Sequence, residues 1–283
     1  VTTVYASRPH YAEHLAPVAA LLPDLDIALV ASYADVCKAR EKHKRIVLMQ
    51  HGIGQSYSDD GPAYPGGRDN DAVGLFLVPN NHAGQRWRSA YPAARVEVVG
   101  SPRLDDLPRR EPGPVTVAVT FHWRSGAHEK GNAFDHYKAV LPDLARRFHV
   151  IGHGHPRATR LPAFYAKHGI EFVPSFADVC RRADLLIADN TSALFEFAAT
   201  GRPVVVMNSP AYRRDVWHGL RFWQAATVGV NVEHAEYLLP FTEAALEDHA
   251  NVQAAREAAL SIVFAFREGA AQRAADAIVD WAA

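Results

Sequence analysis

The segment MQHGIG, residues 49–54, sets His51 between an apolar run and two glycines, Gly52 and Gly54. An imidazole titrates near neutral pH, so it can take a proton from a hydroxyl. Glycines beside it would let a ligand or another backbone come close. A histidine that only satisfies a loop carbonyl is the plainer alternative. GHGHPR, residues 152–157, repeats the theme with His153, His155 and the fixed charge of Arg157. In extended geometry the two imidazoles point to opposite sides, which makes them poor joint ligands for one metal. Contact with a phosphate suits them better, since imidazolium and guanidinium both donate charge-assisted hydrogen bonds.

In ADNTSALFEFAATGRPVVV, residues 188–206, an apolar run ends at Asp189 and the polar trio Asn190, Thr191 and Ser192 opens a helix. Glu196 falls in its first turns, and Gly201 with Pro203 closes it. Exposed amides and the helix dipole at such a start bind phosphate, and two hydroxyls add donors. An ordinary capped helix is the competing reading. In HWRSG, residues 122–126, Arg124 could reach a phosphate, and Trp123 could stack or simply pack.

Two fingerprints are missing. There is no GxxxxGK[ST], and no GxGxxG follows the first apolar run, which argues against a P-loop nucleotidase and against dinucleotide binding. The carboxylate pairs Asp59-Asp60 and Asp105-Asp106 are adjacent and not spaced as ligands. No metal and no cofactor is expected.

The elements that must carry these residues alternate. Apolar runs at 3–6, 27–30, 46–49, 75–78 and 96–99 read as strands, with helices over 10–22, 33–42 and 82–90. PRREPGP, residues 108–114, has the composition of a linker. Beyond it, strands at 115–120, 149–152, 171–173, 185–188 and 204–207 alternate with helices over 133–147, 161–168, 177–182 and 192–200. The tail 242–283 reads as helical, with a break near Glu268-Gly269. Alternating strands and helices imply parallel sheets covered on both faces. Two such blocks imply an α/β protein of two doubly wound, Rossmann-like domains facing across a cleft. The expected boundaries are 1–110, 111–260 and a terminal helix at 261–283. Ligands of such sheets bind beyond the carboxyl ends of the strands, where all these polar segments fall.

Bulk properties narrow the class. The 283 residues are 48% hydrophobic and 22% charged, a globular composition. A formal net charge of -1 gives no overall basic field, so no nucleic-acid partner is expected. The two cysteines, Cys37 and Cys180, form no metal spacing and read as buried small hydrophobes. No signal-peptide pattern and no apolar run of about 20 residues is present. A cytoplasmic protein is expected.

The residues reached so far resemble the CDP-glycerol glycerophosphotransferase family of wall teichoic acid primases and polymerases. MQHGIG is similar to its strand followed by His-Gly. GSPRLDDL, residues 100–107, is similar to its Gly-Asn-Pro-Arg-x-Asp segment, and VAVTFHWRSG to its strand ending in Thr-Trp-Arg. GHGHPR is similar to its strand ending in His-Pro, and ADLLIADNTSALFEFAATGRPVVV to its Asp-Tyr-Ser-Ser segment with the helix and strand that follow. The five matches run in chain order. Asn190 replaces the family's tyrosine, Thr191 its first serine, His122 the threonine of Thr-Trp-Arg, and Ile53 the residue after His-Gly.

The resemblance implies a GT-B fold, with 1–110 on the acceptor side, 111–260 holding a nucleotide-linked donor as substrate, and the helix at 261–283 crossing back to pack on the first domain. It implies His51 as catalytic base and His155 as the histidine near the donor pyrophosphate. It places Arg124, Thr191 and Ser192 on the donor phosphates; their positions at the strand exits add Asn190 there, with Gly52, Gly54, His153, Arg157, Asp189 and Glu196 in support. The expected reaction moves a glycerol-phosphate group from a CDP-linked donor to a hydroxyl, on a polymer or a lipid-linked acceptor. A lipid-linked acceptor would call for peripheral contact at the inner membrane face, to which the aromatic stretch 217–223 could contribute. A sugar transferase of the same fold, a sugar-nucleotide epimerase and a non-catalytic nucleotide-binding module are the other readings. The first is distinguished by releasing a nucleoside diphosphate where the phosphotransferase releases CMP.

Overall fold

The structure, a computed structural model, describes residues 1–53, 70–123, 132–189, 191–208 and 227–283. The chain divides into two compact units, one of residues 1–106 with 261–283 and one of residues 107–260.

Unit 1 carries β1 (Thr3–Tyr5), α1 (Pro9–Ala19), β2 (Ala28–Val30), α2 (Tyr33–Ala39), β3 (Ile46–Met49), β4 (Leu75–Val78), α3 (Asn81–Ala90) and β5 (Arg95–Val98). The five strands are all parallel and lie in chain order, β1-β2-β3-β4-β5. Every residue of β2, β3 and β4 is buried, as expected of strands covered on both faces. Alternate residues then serve opposite layers. Leu29, Val47, Met49 and Leu77 pack with Leu15 and Val18 of α1. Val30, Leu48, Phe76 and Val78 pack with Val36 of α2 and with Trp87 and Tyr91, in and just after α3.

Unit 2 carries β6 (Thr116–Phe121), α4 (Phe134–Tyr137), α5 (Leu141–Arg147), β7 (His149–Gly154), α6 (Leu161–Lys167), β8 (Glu171–Phe172), α7 (Phe176–Arg182), β9 (Leu185–Ala188), α8 (Ala193–Ala198), β10 (Val204–Met207), β11 (Val230–Val232) and α9 (Leu238–Leu246). Its sheet is parallel throughout, in the order β11-β10-β9-β6-β7-β8. The chain thus winds outward from β6 to β8, returns to β9 beside β6, and winds the other way. The reversal between β6 and β9 is a topological switch point, where such sheets open a crevice at their carboxyl ends.

The tail departs from one broken helix. It holds α9, α10 (Ala250–Val263) and α11 (Ala270–Ala282). One break falls at Asp248, which has a positive φ of 44°, and the other ends at Gly269 with φ 65°. The boundary between units falls inside α10. α11 belongs to unit 1, where Ala271, Ala274, Ala275 and Ile278 join the α1 layer of the core. The Asp105 carboxylate caps it, accepting from the amides of Ala270 at 3.1 Å and Ala271 at 2.7 Å. Asp105 lies in the GSPRLDDL segment, so that motif has a structural use here. Among the described residues no helix is long and apolar enough to cross a membrane. Both cysteines are free thiols, Cys180 buried and Cys37 half-buried.

Candidate active site

In unit 1, His51 stands two residues beyond β3 and is half-buried. Its Nδ1 faces the carbonyl oxygen of Ala31. A carbonyl can only accept, so Nδ1 carries the hydrogen and the neutral ring keeps a lone pair on Nε2. The loop that offers this carbonyl is fixed by the start of α2. Ser32 accepts from the Asp35 amide at 3.3 Å and donates to the Asp35 carboxylate at 2.8 Å, while that carboxylate accepts from the Ser7 amide at 3.1 Å. The Tyr11 ring meets His51 edge-on with centroids 4.5 Å apart, and the His10 ring lies 6.3 Å away. Gly52 has φ 76°, a left-handed conformation that favours glycine.

The residue before His51 is clamped as well. The Gln50 amide donates to Leu77 of β4 at 2.9 Å, and the Gln50 side-chain oxygen accepts from the Trp87 indole at 2.9 Å. Its carbonyl lies 3.0 Å from Nε2 of His14, which must therefore carry a hydrogen. His14 is buried, and its pKa falls to about 3. Burial is the largest cause, followed by the positive charge available at His51 and Arg103. His14, Tyr11, Gln50 and Trp87 were not singled out from sequence. The one available signal was the spacing of His10 and His14, which puts both on one face of α1.

In unit 2, Asp189 closes the switch point. Its buried carboxylate accepts from the His122 amide at 2.7 Å, just past β6, and from the Ala133 amide at 3.0 Å, just before α4. Thr191 follows, its amide bonded to the Asp189 carbonyl at 2.7 Å. Ser192 is the N-cap of α8 but makes no side-chain cap hydrogen bond. The amides of Leu194, Phe195 and Glu196 close onto the carbonyls of Thr191 and Ser192. Glu196 is buried within α8, whose six residues are all buried.

The two histidines of GHGHPR part company, as strand geometry dictates. His153 is buried, shares a 2.8 Å hydrogen bond with the Thr120 hydroxyl and lies near Phe176. Glycines flank it because α6 docks there. A Cβ at Gly152 would strike the Tyr165 ring, and one at Gly154 would strike Leu161. The Tyr165 hydroxyl donates to the carbonyls of Val119 and His153, both at 3.1 Å, and burial followed by the Asp189 charge raises its pKa. His155 is half-buried, with ring centroids 5.4 Å from His122 and 5.8 Å from Trp123. Its Nδ1 accepts from the Arg157 amide at 3.1 Å, so its neutral ring carries the hydrogen on Nε2. Arg157 lies over the Trp123 ring.

Gly54, Arg124 and Asn190 lie outside the described residues, as do the aromatic stretch 217–223 and residues 55–69. Asn208, at the exit of β10, is buried and donates to Asn231 at 3.0 Å and Glu233 at 2.9 Å. Among the described residues no group of three His, Cys, Asp or Glu side chains is placed to hold a metal ion.

Two parallel-sheet units, with histidines and hydroxyls at the strand exits, make a protein of the two-Rossmann type. Residues 66–280 match the model of a family described as CDP-glycerol:poly(glycerophosphate) glycerophosphotransferase. The match covers more than half of the chain, which belongs to this family and is a transferase that takes a CDP-linked donor and a hydroxyl acceptor. Curated protein sequences give no match. Among solved structures, the wall teichoic acid polymerase TagF in a CDPG soak has a TM-score of 0.64 at 14% identity, over 91% of this chain and 72% of that one. A putative UDP-N-acetylglucosamine 2-epimerase from Listeria monocytogenes has a TM-score of 0.58 at 13% identity, over 98% and 95% of the two chains. The UDP-GlcNAc 2-epimerase of Neisseria meningitidis has a TM-score of 0.56 at 14% identity, over 90% and 75%. At these identities the likeness concerns the fold.

Proposed function

We propose that the chain transfers glycerol phosphate from CDP-glycerol to an acceptor hydroxyl without a metal ion, with His51 as general base. Unit 2 holds the donor and His51 of unit 1 serves the acceptor. The acceptor oxygen attacks the β-phosphorus, the bond from that phosphorus to the bridging oxygen breaks, and CMP leaves. Nε2 of His51 takes the hydroxyl proton. Nε2–H of His155 donates to the diphosphate. The hydroxyls of Thr191 and Ser192, with the amides of Ser192 and Ala193, bond its oxygens, and Arg124 adds positive charge. Phosphoryl transfer relies on positioning and charge stabilisation, which is what these donors supply.

One observation carries this reading: Nδ1 of His51 is committed to the Ala31 carbonyl, leaving Nε2 as the basic nitrogen. His51→Asn keeps an N–H for that carbonyl and removes the base. CMP release should fall by about 10²- to 10⁴-fold, with CDP affinity unchanged. Retention of the rate within threefold, by about the same reasoning, would sink the role. Wild-type turnover should survive chelation, and a rate restored by added magnesium would count against metal-free chemistry. The polymeric or lipid-linked nature of the acceptor, and peripheral docking at the inner membrane face of the cytoplasm, are part of the proposal. Co-sedimentation with anionic vesicles tests the docking.

A further inference from the structure

β3 ends at Met49, and its ladder to β4 runs one bond further. That bond is the one from the Gln50 amide to the Leu77 carbonyl, at 2.9 Å. In a parallel ladder, the carbonyl of such a residue accepts from the amide two positions further along the partner strand. For Gln50 that position is Pro79, which has no N–H. The chain therefore leaves the sheet with the Gln50 carbonyl lacking its ladder donor, one residue before His51. A partly buried carbonyl needs another partner. α1 supplies it. Nε2–H of His14 donates to the Gln50 carbonyl at 3.0 Å, from a side chain only 3% exposed.

This bond bears on His51 through the peptide group that joins the two residues. The Gln50 carbonyl and the His51 amide lie in one rigid plane. Fixing the direction of the carbonyl fixes the plane from which the His51 Cα departs. The direction of the ring toward the Ala31 carbonyl follows from it. Restraint from the other side is slight, because Gly52 comes next and its backbone is permissive. The same face of α1 brings Tyr11, three residues before His14, edge-on to the His51 ring at 4.5 Å. With a pKa of about 3, His14 is neutral through the neutral range, so it acts by direction and not by charge.

We propose that His14 is a positioning residue for His51, supplying the donor that Pro79 lacks and so holding the base in line for the acceptor hydroxyl. Its effect on turnover rests on the reading of His51 as general base. Its effect on the His51 ring does not, so the two can fail separately. Glutamine and asparagine at this position both bury a neutral amide, but only glutamine is long enough to put its nitrogen where Nε2 lies. His14→Asn should lower kcat for CMP release from CDP-glycerol by about 10- to 100-fold and leave KM for the donor within about twofold, since a misaimed base costs rate and not donor binding. His14→Gln should keep kcat within about threefold of wild type. In a His51→Asn background, His14→Asn should cause no further fall, because there is no base left to aim. Equal rates in His14→Asn and His14→Gln, or losses that add in the double variant, overturn the assignment. Long-range proton–nitrogen NMR of the histidine rings in the full chain reads the same contact without turnover, His51 being the signal that His51→Asn removes. Wild type and His14→Gln should show the Nδ1–H tautomer, and His14→Asn a mixture of tautomers. An unchanged Nδ1–H tautomer in His14→Asn also overturns the assignment. If the wild type releases no CMP, the phosphotransferase reading fails while the NMR still decides the role of His14.

Discussion

His51 and His155 hold opposite tautomers because their Nδ1 atoms meet opposite partners, a carbonyl for one and an amide for the other. One ring presents a base and the other a donor, the division a proton-coupled phosphoryl transfer needs. His14 is a third case, kept neutral. Its pKa is 6.5 in an ordinary setting and about 3 here. Above pH 6.5 it is neutral in both folded and unfolded chains and contributes nothing to pH dependence. As pH falls below 6.5, the unfolded chain takes a proton that the folded chain refuses until about pH 3, so stability is lost across that window. By pH 5 the loss from this group is about 2 kcal/mol. His14→Gln keeps a donor for the Gln50 carbonyl without the titration. Its Tm should fall less steeply than wild type between pH 6.5 and 5, and parallel curves would refute the assignment. Ser192 offers a second test at this scale. It makes no side-chain cap bond, so Ser192→Ala should leave Tm nearly unchanged while weakening CDP binding. A serine serving only as a helix cap would give the reverse, a lower Tm and unchanged CDP affinity.

At the scale of elements, the Asp105 cap shows how one carboxylate ties a terminal helix to the first unit. Asp105→Ala leaves the amides of Ala270 and Ala271 without it and should cost about 1–2 kcal/mol, read by urea unfolding. A change within about 0.3 kcal/mol would mean that water replaces the carboxylate at no cost. The strands that carry the site were legible because fully buried parallel strands read as unbroken apolar runs, as β3, β4 and β9 do. β11 was not. It is a three-residue edge strand with Asn231 at its centre, too short and too polar to stand out. The helix expected over 133–147 is two, α4 and α5, because Pro142 lacks the N–H that would carry one helix across the junction. The strand-exit histidines could be found from sequence, since a polar residue after an apolar run is a local pattern. The bond from His14 to Gln50 and the amide contacts of Asp189 could not, because each joins segments far apart in the chain.

At the scale of the molecule, the two units differ in how the chain supplies them. Unit 2 is one continuous stretch, residues 107–260, with a core of its own drawn from β6, β7, β9 and β10 and from α4, α5, α6 and α9. Unit 1 takes residues 1–106 and also 261–283. Without the second piece, Leu15, Val18 and Leu77 lose Ala271, Ala274, Ala275 and Ile278 from their shared layer. Exposing such a layer costs several kcal/mol, at about 25 cal/mol per Å² of apolar surface, which is a large part of a domain's stability. A chain ending at Leu260 should therefore keep unit 2 and lose unit 1. Limited proteolysis should degrade residues 1–106 and leave a resistant fragment spanning 107–260. That fragment should still bind CDP, since the Thr191–Ser192 turn and His155 both lie within it. CMP release from CDP-glycerol should cease, because His51 depends on the fold of unit 1 to hold its Nδ1 on Ala31. If residues 1–106 instead stay resistant in the shortened chain, α11 is an accessory to unit 1, and the Asp105 cap and Ile278 contacts contribute far less than their burial suggests.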